Sequence, residues 1–271
     1  MASENVNMTT HQTQERTKFQ SERQREIAQL VYDKGRVEVS ELASRFSVTT
    51  ETIRRDLSVL AQNYVVRRVH GGAIAYESLR HEPMLIVRDT QNAEEKRKVA
   101  RRAVEELPRE GSIIIDSGST LGIFADMMPE DQELTVFTNS VPVIQSLSTR
   151  DSIDVNVIGG FLRKNTMAMV DASSIDMVRD LVVDVLFISC DGVSPERGFT
   201  TPYRDEVAIK RAMMAAARWV VMLFDHTKVG NDQLLRFAAV DEIDTIITDG
   251  GVPMATIHAL QDLGPQVIRV E

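Results

Sequence analysis

The chain has 271 residues, of which 43% are hydrophobic and 26% are charged, a composition typical of a globular protein with room for two domains. No apolar run approaches the roughly 18 residues that a membrane-spanning helix needs, and a single cysteine excludes an internal disulfide. The net charge of −9 excludes a surface that coats nucleic acid along its whole length.

The charge is unevenly distributed along the chain. Residues 21–70 carry nine Lys/Arg and seven Asp/Glu, a net of +2, and residues 1–20 are neutral overall. Residues 71–271 therefore carry −11. A slightly basic N-terminal region before an acidic remainder favours a local DNA-binding module, with the remainder held off the duplex.

Residues 1–20 are polar and lack the hydrophobic segment of a signal peptide, so we expect a disordered lead-in. The lone Cys190 fits a reducing cytoplasm, where we expect the protein to act. Five histidines without ligand spacing predict no metal site, and no cofactor is expected.

Residues 21–73 have the pattern of three helices followed by a hairpin. Ser21 to Lys34 predicts a first helix with one apolar face. Glu41 to Phe46 predicts a second helix, for which Ser40 is the expected N-cap. A third helix follows after a tight connection and begins behind the capping hydroxyl of Thr49. This order and spacing predict a helix-turn-helix.

The third helix has an apolar stripe and a polar, basic face. Ile53, Leu57 and Leu60 recur at helical spacing and are expected to pack inward. Asp56 falls near the buried edge and is expected to pair with a cation or a neighbouring helix end. The exposed side chains that can contact phosphates and base edges are Thr49, Thr50, Thr52, Arg54, Arg55 and Ser58. For this helix alone, an ordinary amphipathic surface helix is an equal alternative.

A short β-ribbon is predicted after the third helix. Val65 to Val69 alternates valine with arginine and ends at a glycine pair, Gly71-Gly72. Such a ribbon is the wing of a winged helix, and it presents Arg67, Arg68 and His70 towards the sugar-phosphate backbone.

Two stretches of this region form a specific combination. They are Arg23, Ile27 and Val31 followed by Thr49, Thr52 and Ile53-Arg54-Arg55-Asp56-Leu57, and the hairpin ending Arg68-Val69-His70-Gly71-Gly72-Ala73. Together they resemble the DeoR family of bacterial transcriptional regulators far more specifically than a generic helix-turn-helix pattern does. The resemblance implies that the region binds a double-stranded DNA operator.

The region after the wing divides into a linker, residues 74–91, and a larger domain, residues 92–271. Asn92 is predicted to open a helix, with Glu95 as its capping-box partner. Lys96 belongs to a basic run on the predicted outer face of this helix. Acidic neighbours offset the run, so a solvated face is favoured over nucleic-acid binding.

Short β-rich runs then alternate with helical ones. The strand candidates are Ile113 to Asp116, Leu134 to Thr138, Val155 to Ile158, Val185 to Ser189, Trp219 to Asp225, Thr245 to Thr248 and Gln266 to Val270. This alternation predicts a doubly wound, mostly parallel α/β domain. In such sheets ligands bind beyond the carboxyl ends of the strands.

Polar residues collect at those predicted strand ends. Asp116-Ser117-Gly118-Ser119-Thr120, Thr138-Asn139-Ser140 and Gly159-Gly160 follow three consecutive strands, which favours a phosphate cradle over plain turns. The candidate effector-binding residues are Asp116, Ser117, Gly118, Ser119, Thr120, Asn139, Gly159, Gly160, Asp191, Glu206, Lys210 and Lys228.

This series of loops also resembles the DeoR effector domain, whose fold is similar to ribose-5-phosphate isomerase, and the resemblance spans about residues 21–250. It implies binding of a phosphorylated sugar or related metabolite. It further implies that Ser117 to Thr120 hold the phosphate with Lys228, and that Asn139, Glu206 and Lys210 contact the sugar or close the pocket.

Together these features predict a ligand-controlled DNA-binding regulator, most simply a repressor of sugar or polyol uptake and catabolism genes. One head covers a short half-site, so we expect a homo-oligomer, at least a dimer. The alternative is a sugar-phosphate isomerase-like enzyme with an appended head, in which Asp116, Asp191, Glu206 and Lys210 act as acids and bases. A winged helix that binds protein is disfavoured by the paired arginines of the helix and the wing.

Overall fold

The computed structural model describes residue 20 and residues 22–31, 34–62, 65–75 and 85–271. Residues 1–19 of the predicted lead-in and residues 76–84 of the predicted linker lie outside the described part. The chain divides into two units, Met1–Gln91 and Asn92–Glu271, here called the head and the body. Within the described ranges, no helix is long and apolar enough to cross a membrane.

The described part of the head is a winged helix-turn-helix, as predicted. Residues 22–31 are helical (α1). They are followed by β1 (Arg36–Glu38), α2 (Val39–Arg45), α3 (Thr50–Gln62), β2 (Val66–Val69), β3 (Gly72–Ala75) and α4 (Leu85–Thr90). The strands form an antiparallel sheet in the order β1-β3-β2, so the wing hairpin closes against β1. The last of these helices, α4, lies within the segment predicted as a linker.

The predicted stripe and cap of the third helix are confirmed. Ile53, Leu57 and Leu60 are buried in the core of the head. The backbone N–H of Thr52 donates to Thr49 Oγ1 at 3.2 Å, so Thr49 satisfies one of the free donors of the first turn.

The predicted cap of the second helix is wrong. The helix begins at Val39, before Ser40, and no side chain caps it. Glu38 still pairs with Gly72 in the sheet, and the N–H of Val39 donates to Gly71 O at 2.9 Å, so the strand runs directly into the helix. The backbone of the wing thus takes the place of a side-chain cap.

Asp56 ties α3 to α1. Its carboxylate, 1% exposed, accepts from Arg23 Nε at 2.6 Å and from Gln24 Nε2 at 2.9 Å. The predicted pairing of Asp56 with a cation is therefore confirmed. Because both carboxylate oxygens have a partner, the buried charge is compensated and fixes how the two helices cross.

The body alternates strands and helices along the chain. Its strands are β4 (Glu110–Ile115), β5 (Glu133–Thr138), β6 (Ile153–Val157), β7 (Leu162–Arg163), β8 (Ala168–Met169), β9 (Val183–Ser189), β10 (Gly192–Ser194), β11 (Gly198–Thr201), β12 (Ala217–Leu223), β13 (Leu235–Ala238), β14 (Thr245–Asp249) and β15 (Gln266–Val270). Its α-helices are α5 (Ala93–Val104), α6 (Ser119–Met127), α7 (Val141–Leu147), α8 (Ala172–Arg179), α9 (Arg204–Ala216) and α10 (Met254–Gln261).

The seven predicted strands form one sheet, and every pairing in it is parallel. The order is β15-β14-β12-β9-β4-β5-β6. Successive residues of a strand point to opposite faces. Ile113 and Ile115 accordingly pack with α5, α6 and α7, whereas Ile114 packs in a second cluster with α8, α9 and α10. The doubly wound α/β prediction is confirmed.

Two smaller pairings were not predicted. The strands β10, β11 and β13 form an antiparallel sheet, and β7 pairs with β8 as a hairpin. Each of these strands has only two to four residues, too few for a periodic pattern to stand out. Both additions carry residues to the carboxyl edge of the main sheet.

The start of α5 departs from the sequence prediction. The N-cap residue, Asn92, has a left-handed backbone (φ 50°) and makes no side-chain cap bond. Its amide Nδ2 instead donates to Asp225 Oδ1 at 3.2 Å. Lys96, predicted on the outer face, is 2% exposed, with its Nζ 4.0 Å from Asp225 Oδ2. The buried carboxylate of Asp225 explains both corrections, since it draws an amide and a cation inward.

Candidate DNA interface and effector site

The exposed face of α3 and the wing enclose a cleft of about 550 Å³ in the head. Its lining residues are Thr49, Glu51, Thr52, Arg54, Arg55, Ser58 and Arg68. All of these except Glu51 were predicted from the sequence to contact DNA. The cleft offers guanidinium and hydroxyl groups. These groups can donate hydrogen bonds to phosphate oxygens and to the acceptors on base edges.

A chain of hydrogen bonds fixes the wing to α3. Arg68 Nη1 donates to Ser58 Oγ at 2.9 Å, and Ser58 Oγ donates to Arg54 O at 2.7 Å. Helix and wing are therefore one continuous surface. The guanidinium of Arg54 lies 3.5 Å from Glu51 at a solvent-exposed site, a weak pair that a phosphate can readily replace.

The remaining predicted contacts flank this surface. A second cleft of about 290 Å³ is lined in part by Arg54, Arg68 and His70. Thr50 and Arg67 are exposed but line neither cleft. Arg67 and Arg68 are successive residues of β2, so their side chains leave opposite faces of the strand.

The topology of the body creates a crevice at the carboxyl edge of its sheet. From β4 the chain moves outward through β5 and β6, and from β9 it moves the other way through β12, β14 and β15. β4 and β9 are neighbours at this reversal of strand order, where ligands bind in open α/β sheets.

The loop after β4 runs into the N-terminus of α6. Ser117, Ser119 and Thr120 are buried there, and Gly118 has a φ of 143°. A Cβ at Gly118 would lie 2.6 Å from Ser189 Oγ, and that hydroxyl donates to Ser117 O. The glycine is thus required by its conformation and by the close approach of β9.

Lys210 connects α9 to the carboxyl ends of β4 and β9, the two strands at the reversal of strand order. Its Nζ donates to Asp116 Oδ2 at 2.5 Å and to Ser189 O at 2.9 Å. Burial lowers the pKa of Lys210, but the carboxylates of Asp116 and Glu206 outweigh burial and hold the pKa above its ordinary value. Lys210 is therefore a buried cation, paired with Asp116.

Glu206, one turn earlier on α9, belongs to a second buried cluster. Its Oε1 pairs with Arg163 Nη1, and its Oε2 accepts from Thr201 Oγ1 at 2.7 Å. The same hydroxyl lies 3.0 Å from Asp191 Oδ2. Burial raises the pKa of Glu206, as does Asp191, and the opposing effects of Arg163, Lys210 and Thr201 leave it above its ordinary value.

Asn139 closes the carboxyl end of β5. Its Nδ2 donates to Met169 O at 3.1 Å, which joins β5 to the β7–β8 hairpin. Its Oδ1 is buried, and no hydrogen-bond donor to it is found in the described residues. A buried acceptor of this kind is costly unless a donor reaches it.

The Gly159-Gly160 pair, by contrast, packs against the start of α8. Gly159 O accepts from Ser174 Oγ at 2.5 Å. Gly160 has a φ of 139°, and a Cβ there would lie 2.2 Å from the same hydroxyl. These two glycines are explained by the close turn around the cap residue Asp171.

Lys228 ends a 3₁₀ turn, His226–Lys228, at the carboxyl end of β12. It is half-buried, and its ammonium group forms no hydrogen bond or salt bridge within the described part of the chain. The strands β4 and β12 are separated only by β9, so their ends lie about 10 Å apart. That span suits a small ligand with an anionic group.

Three residues of this edge were not predicted from the sequence. Arg163 lies over the ring of Tyr203 at 3.7 Å and pairs with Glu206, and Thr201 bridges Glu206 to Asp191. They come from the short strands β7 and β11 and from the N-cap of α9. In the sequence, Arg163 is the first cation after Gly159-Gly160, but its partner, Glu206, lies 43 residues further along the chain.

A winged helix-turn-helix with exposed arginines, joined to a doubly wound domain with a polar crevice, defines a DNA-binding regulator with a ligand-sensing domain. Residues 23–79 match the model of the DeoR-like helix-turn-helix domain, and residues 91–250 match that of the DeoR C terminal sensor domain. The chain belongs to the DeoR family of transcriptional regulators.

Similar proteins are also named as transcriptional regulators. The HTH-type transcriptional regulator GlpR of Haloferax volcanii is 34% identical over 248 residues, covering 92% of this chain and 97% of the relative. The glycerol-3-phosphate regulon repressor of Escherichia coli K12 is 29% identical, covering 90% and 96%. The putative aga operon transcriptional repressor of E. coli O157:H7 is 30% identical, covering 92% and 94%. The family and these relatives are regulators and not enzymes, which decides against the isomerase alternative.

Two similar solved structures match the chain at a low level. Ribose 5-phosphate isomerase A of Methanocaldococcus jannaschii matches with a TM-score of 0.39 and 18% identity, covering 52% of this chain and 56% of that one. A probable sor operon regulator of Shigella flexneri matches with a TM-score of 0.43 and 9% identity, covering 64% and 89%. Likeness at this level carries no functional information.

Proposed function

We propose that this protein represses genes for the uptake and catabolism of a sugar or polyol, and that a phosphorylated sugar or polyol releases it from its operator. The observation that carries the proposal is that the hydroxyl-rich loop before α6 and Lys228 lie at the same edge of the body sheet, and that the ammonium group of Lys228 forms no hydrogen bond or salt bridge within the described residues. The head supplies the DNA-binding surface through α3 and the wing.

The loop before α6 has the chemistry of a phosphate cradle. Free N–H groups at a helix N-terminus and the positive end of the helix dipole favour an anion. The hydroxyls of Ser117, Ser119 and Thr120 add donors, and Lys228 adds a full positive charge across the crevice. An unphosphorylated sugar leaves these donors and the lysine without an anionic partner.

The rest of the crevice suits hydroxyl groups. Asn139 offers a buried acceptor, Oδ1, that needs a donor. Asp191 and Glu206 offer carboxylate oxygens that can accept hydrogen bonds from hydroxyl groups. Their negative charge disfavours the phosphate of the ligand in this part of the crevice. We therefore place the phosphate of the ligand towards Lys228 and its hydroxyls towards Asn139 and Glu206.

Two relatives are named as repressors, and the name of one contains a phosphorylated polyol. One is a glycerol-3-phosphate regulon repressor, and glycerol 3-phosphate is a phosphorylated polyol. The other is a putative repressor of the aga operon. We extend the repressor role from these proteins to this chain, together with action in the cytoplasm and assembly into at least a dimer that presents two heads to a repeated operator.

Calorimetry on the full-length protein tests the ligand class. The panel contains glycerol 3-phosphate, the 6-phosphates of common hexoses and the unphosphorylated form of each. We expect one phosphorylated member to bind at least about tenfold more tightly than its unphosphorylated form, a difference of about 1.4 kcal/mol. Lys228→Ala should remove this preference, whereas Lys98→Ala, an exposed lysine of α5, should keep it.

Two results contradict the proposal. One is that no phosphorylated member of the panel binds. The other is tight binding of an unphosphorylated sugar that Lys228→Ala leaves unchanged.

A further inference from the structure

We infer that the hydrogen bond from Asn92 to Asp225 couples the ligand state of Lys228 to the junction between body and head. The inference rests on the proposed function, since it takes Lys228 as the ligand's cation. It adds residues to which neither the family resemblance nor the proposed site gives a role: Asn92 and Lys96.

Asp225 organises the turn that carries Lys228. Its Oδ1 accepts from the N–H of Thr227 at 3.1 Å and from the hydroxyl of Thr227, so it caps the 3₁₀ turn that ends at Lys228. Asp225 is 1% exposed. A fully buried carboxylate keeps its donors because losing one leaves part of the charge uncompensated.

The same carboxylate holds the first turn of α5. Asn92 Nδ2 donates to Oδ1 at 3.2 Å, and Lys96 Nζ lies 4.0 Å from Oδ2. Burial raises the pKa of Asp225, but Lys228, Thr227 and Lys96 outweigh burial and lower the pKa below its ordinary value. Asp225 is thus joined to Lys96 by an ion pair and to Lys228 through the turn that it caps, so both lysines lie in the field of one buried carboxylate.

Asn92 occupies the first position of the body, directly after the head ends at Gln91. Its φ of 50° is left-handed, a conformation that asparagine tolerates and most residues avoid. Its side chain bonds Asp225 instead of capping the helix. The first residue of the body is therefore held by a contact to the Lys228 turn.

Ligand binding changes this arrangement through charge. When Lys228 turns to a phosphate, its positive charge is shared with the ligand and Asp225 relies more on Asn92 and Lys96. Asn92 and Lys96, in the first turn of α5, are then held more firmly by Asp225. The ligand shifts the population between an operator-binding and a released form by its differential affinity for the two.

The test is a linkage measurement on the full-length protein. The dissociation constant of the tightest-binding member of the sugar-phosphate panel is measured with free protein and with protein saturated by its operator. We expect the two constants to differ by at least about tenfold in the wild type. Asn92→Gly tolerates the same φ without the amide, and it should bring the ratio to within about twofold of unity.

The controls separate coupling from binding. Asn92→Gly should leave the ligand affinity of the free protein and the operator affinity without ligand within about threefold of wild type. Asn156→Ala removes an exposed amide from the edge strand β6 and should leave the ratio unchanged.

Each contrary outcome has a distinct meaning. A wild-type ratio near unity means that the ligand does not control operator binding, and the proposed function fails. A large wild-type ratio that Asn92→Gly retains overturns the coupling role and leaves the proposed function standing. Loss of ligand binding by free Asn92→Gly protein also overturns it, because Asn92 would then support ligand binding itself and not the coupling of ligand binding to operator binding.

Discussion

The double substitution Arg54→Ala/Arg55→Ala is expected to lower operator affinity by about 30-fold or more, because each arginine contact to a base edge contributes about 1–3 kcal/mol. Both side chains line the cleft on α3 and are exposed, so their loss leaves the core of the head intact. Gel-shift titration against the operator, recovered by chromatin immunoprecipitation and sequencing, measures the change.

The matched control is Arg25→Ala, an exposed arginine of α1 outside the cleft. It should leave operator affinity within about twofold of wild type. Unchanged operator affinity in the Arg54/Arg55 double variant would remove α3 as the DNA-reading helix.

The second large effect is on stability. Lys210→Met should lower the free energy of unfolding of the body by about 3–5 kcal/mol, the usual cost of removing one partner from a buried ion pair. The side chains of Lys210 and Asp116 are 5% and 1% exposed, and the change also leaves Ser189 O without this donor. Urea unfolding followed by fluorescence reports the body selectively, because Trp219 is the single tryptophan and lies in β12.

The double variant Asp116→Asn/Lys210→Met separates charge from packing. Removing both charges should recover a substantial part of the lost stability, since no uncompensated charge remains. If Lys210→Met lowers the free energy of unfolding by less than about 1 kcal/mol, the Lys210–Asp116 pair is not the buried, dry contact that its geometry indicates.

Much of the fold was predictable because its elements are long and periodic. Each of the seven strands of the main sheet was located to within three residues, since β-rich runs alternate with helices along the whole body. The stripe of α3 and its Thr49 cap were equally legible, because both depend on neighbours within one or two helical turns.

The wrong predictions for Ser40, Asn92 and Lys96 share a cause, which is a partner distant in sequence. Ser40 looks like a helix cap in isolation, but the wing backbone lets the helix begin at Val39. Asn92 and Lys96 look like a cap and a solvated cation, yet Asp225, 133 residues beyond Asn92, draws both inward. No local pattern records a contact at that separation.

In the candidate effector site, too, features set by neighbouring residues were predictable and contacts between distant residues were not. The loop from Asp116 to Thr120 was recognisable from local chemistry, because glycine, hydroxyls and a helix start occur together. The pairing of Glu206 with Arg163 was not, since it depends on the two-residue strand β7 reaching across to α9.

The central claim is that a phosphorylated sugar or polyol in the body controls operator binding by the head. Its most direct test is a fluorescence-anisotropy titration of labelled operator with full-length protein, alone, with the saturating phosphorylated ligand, and with the unphosphorylated sugar. We predict that only the phosphorylated ligand raises the operator dissociation constant, by at least about tenfold. An operator dissociation constant that is the same in all three titrations would contradict the claim.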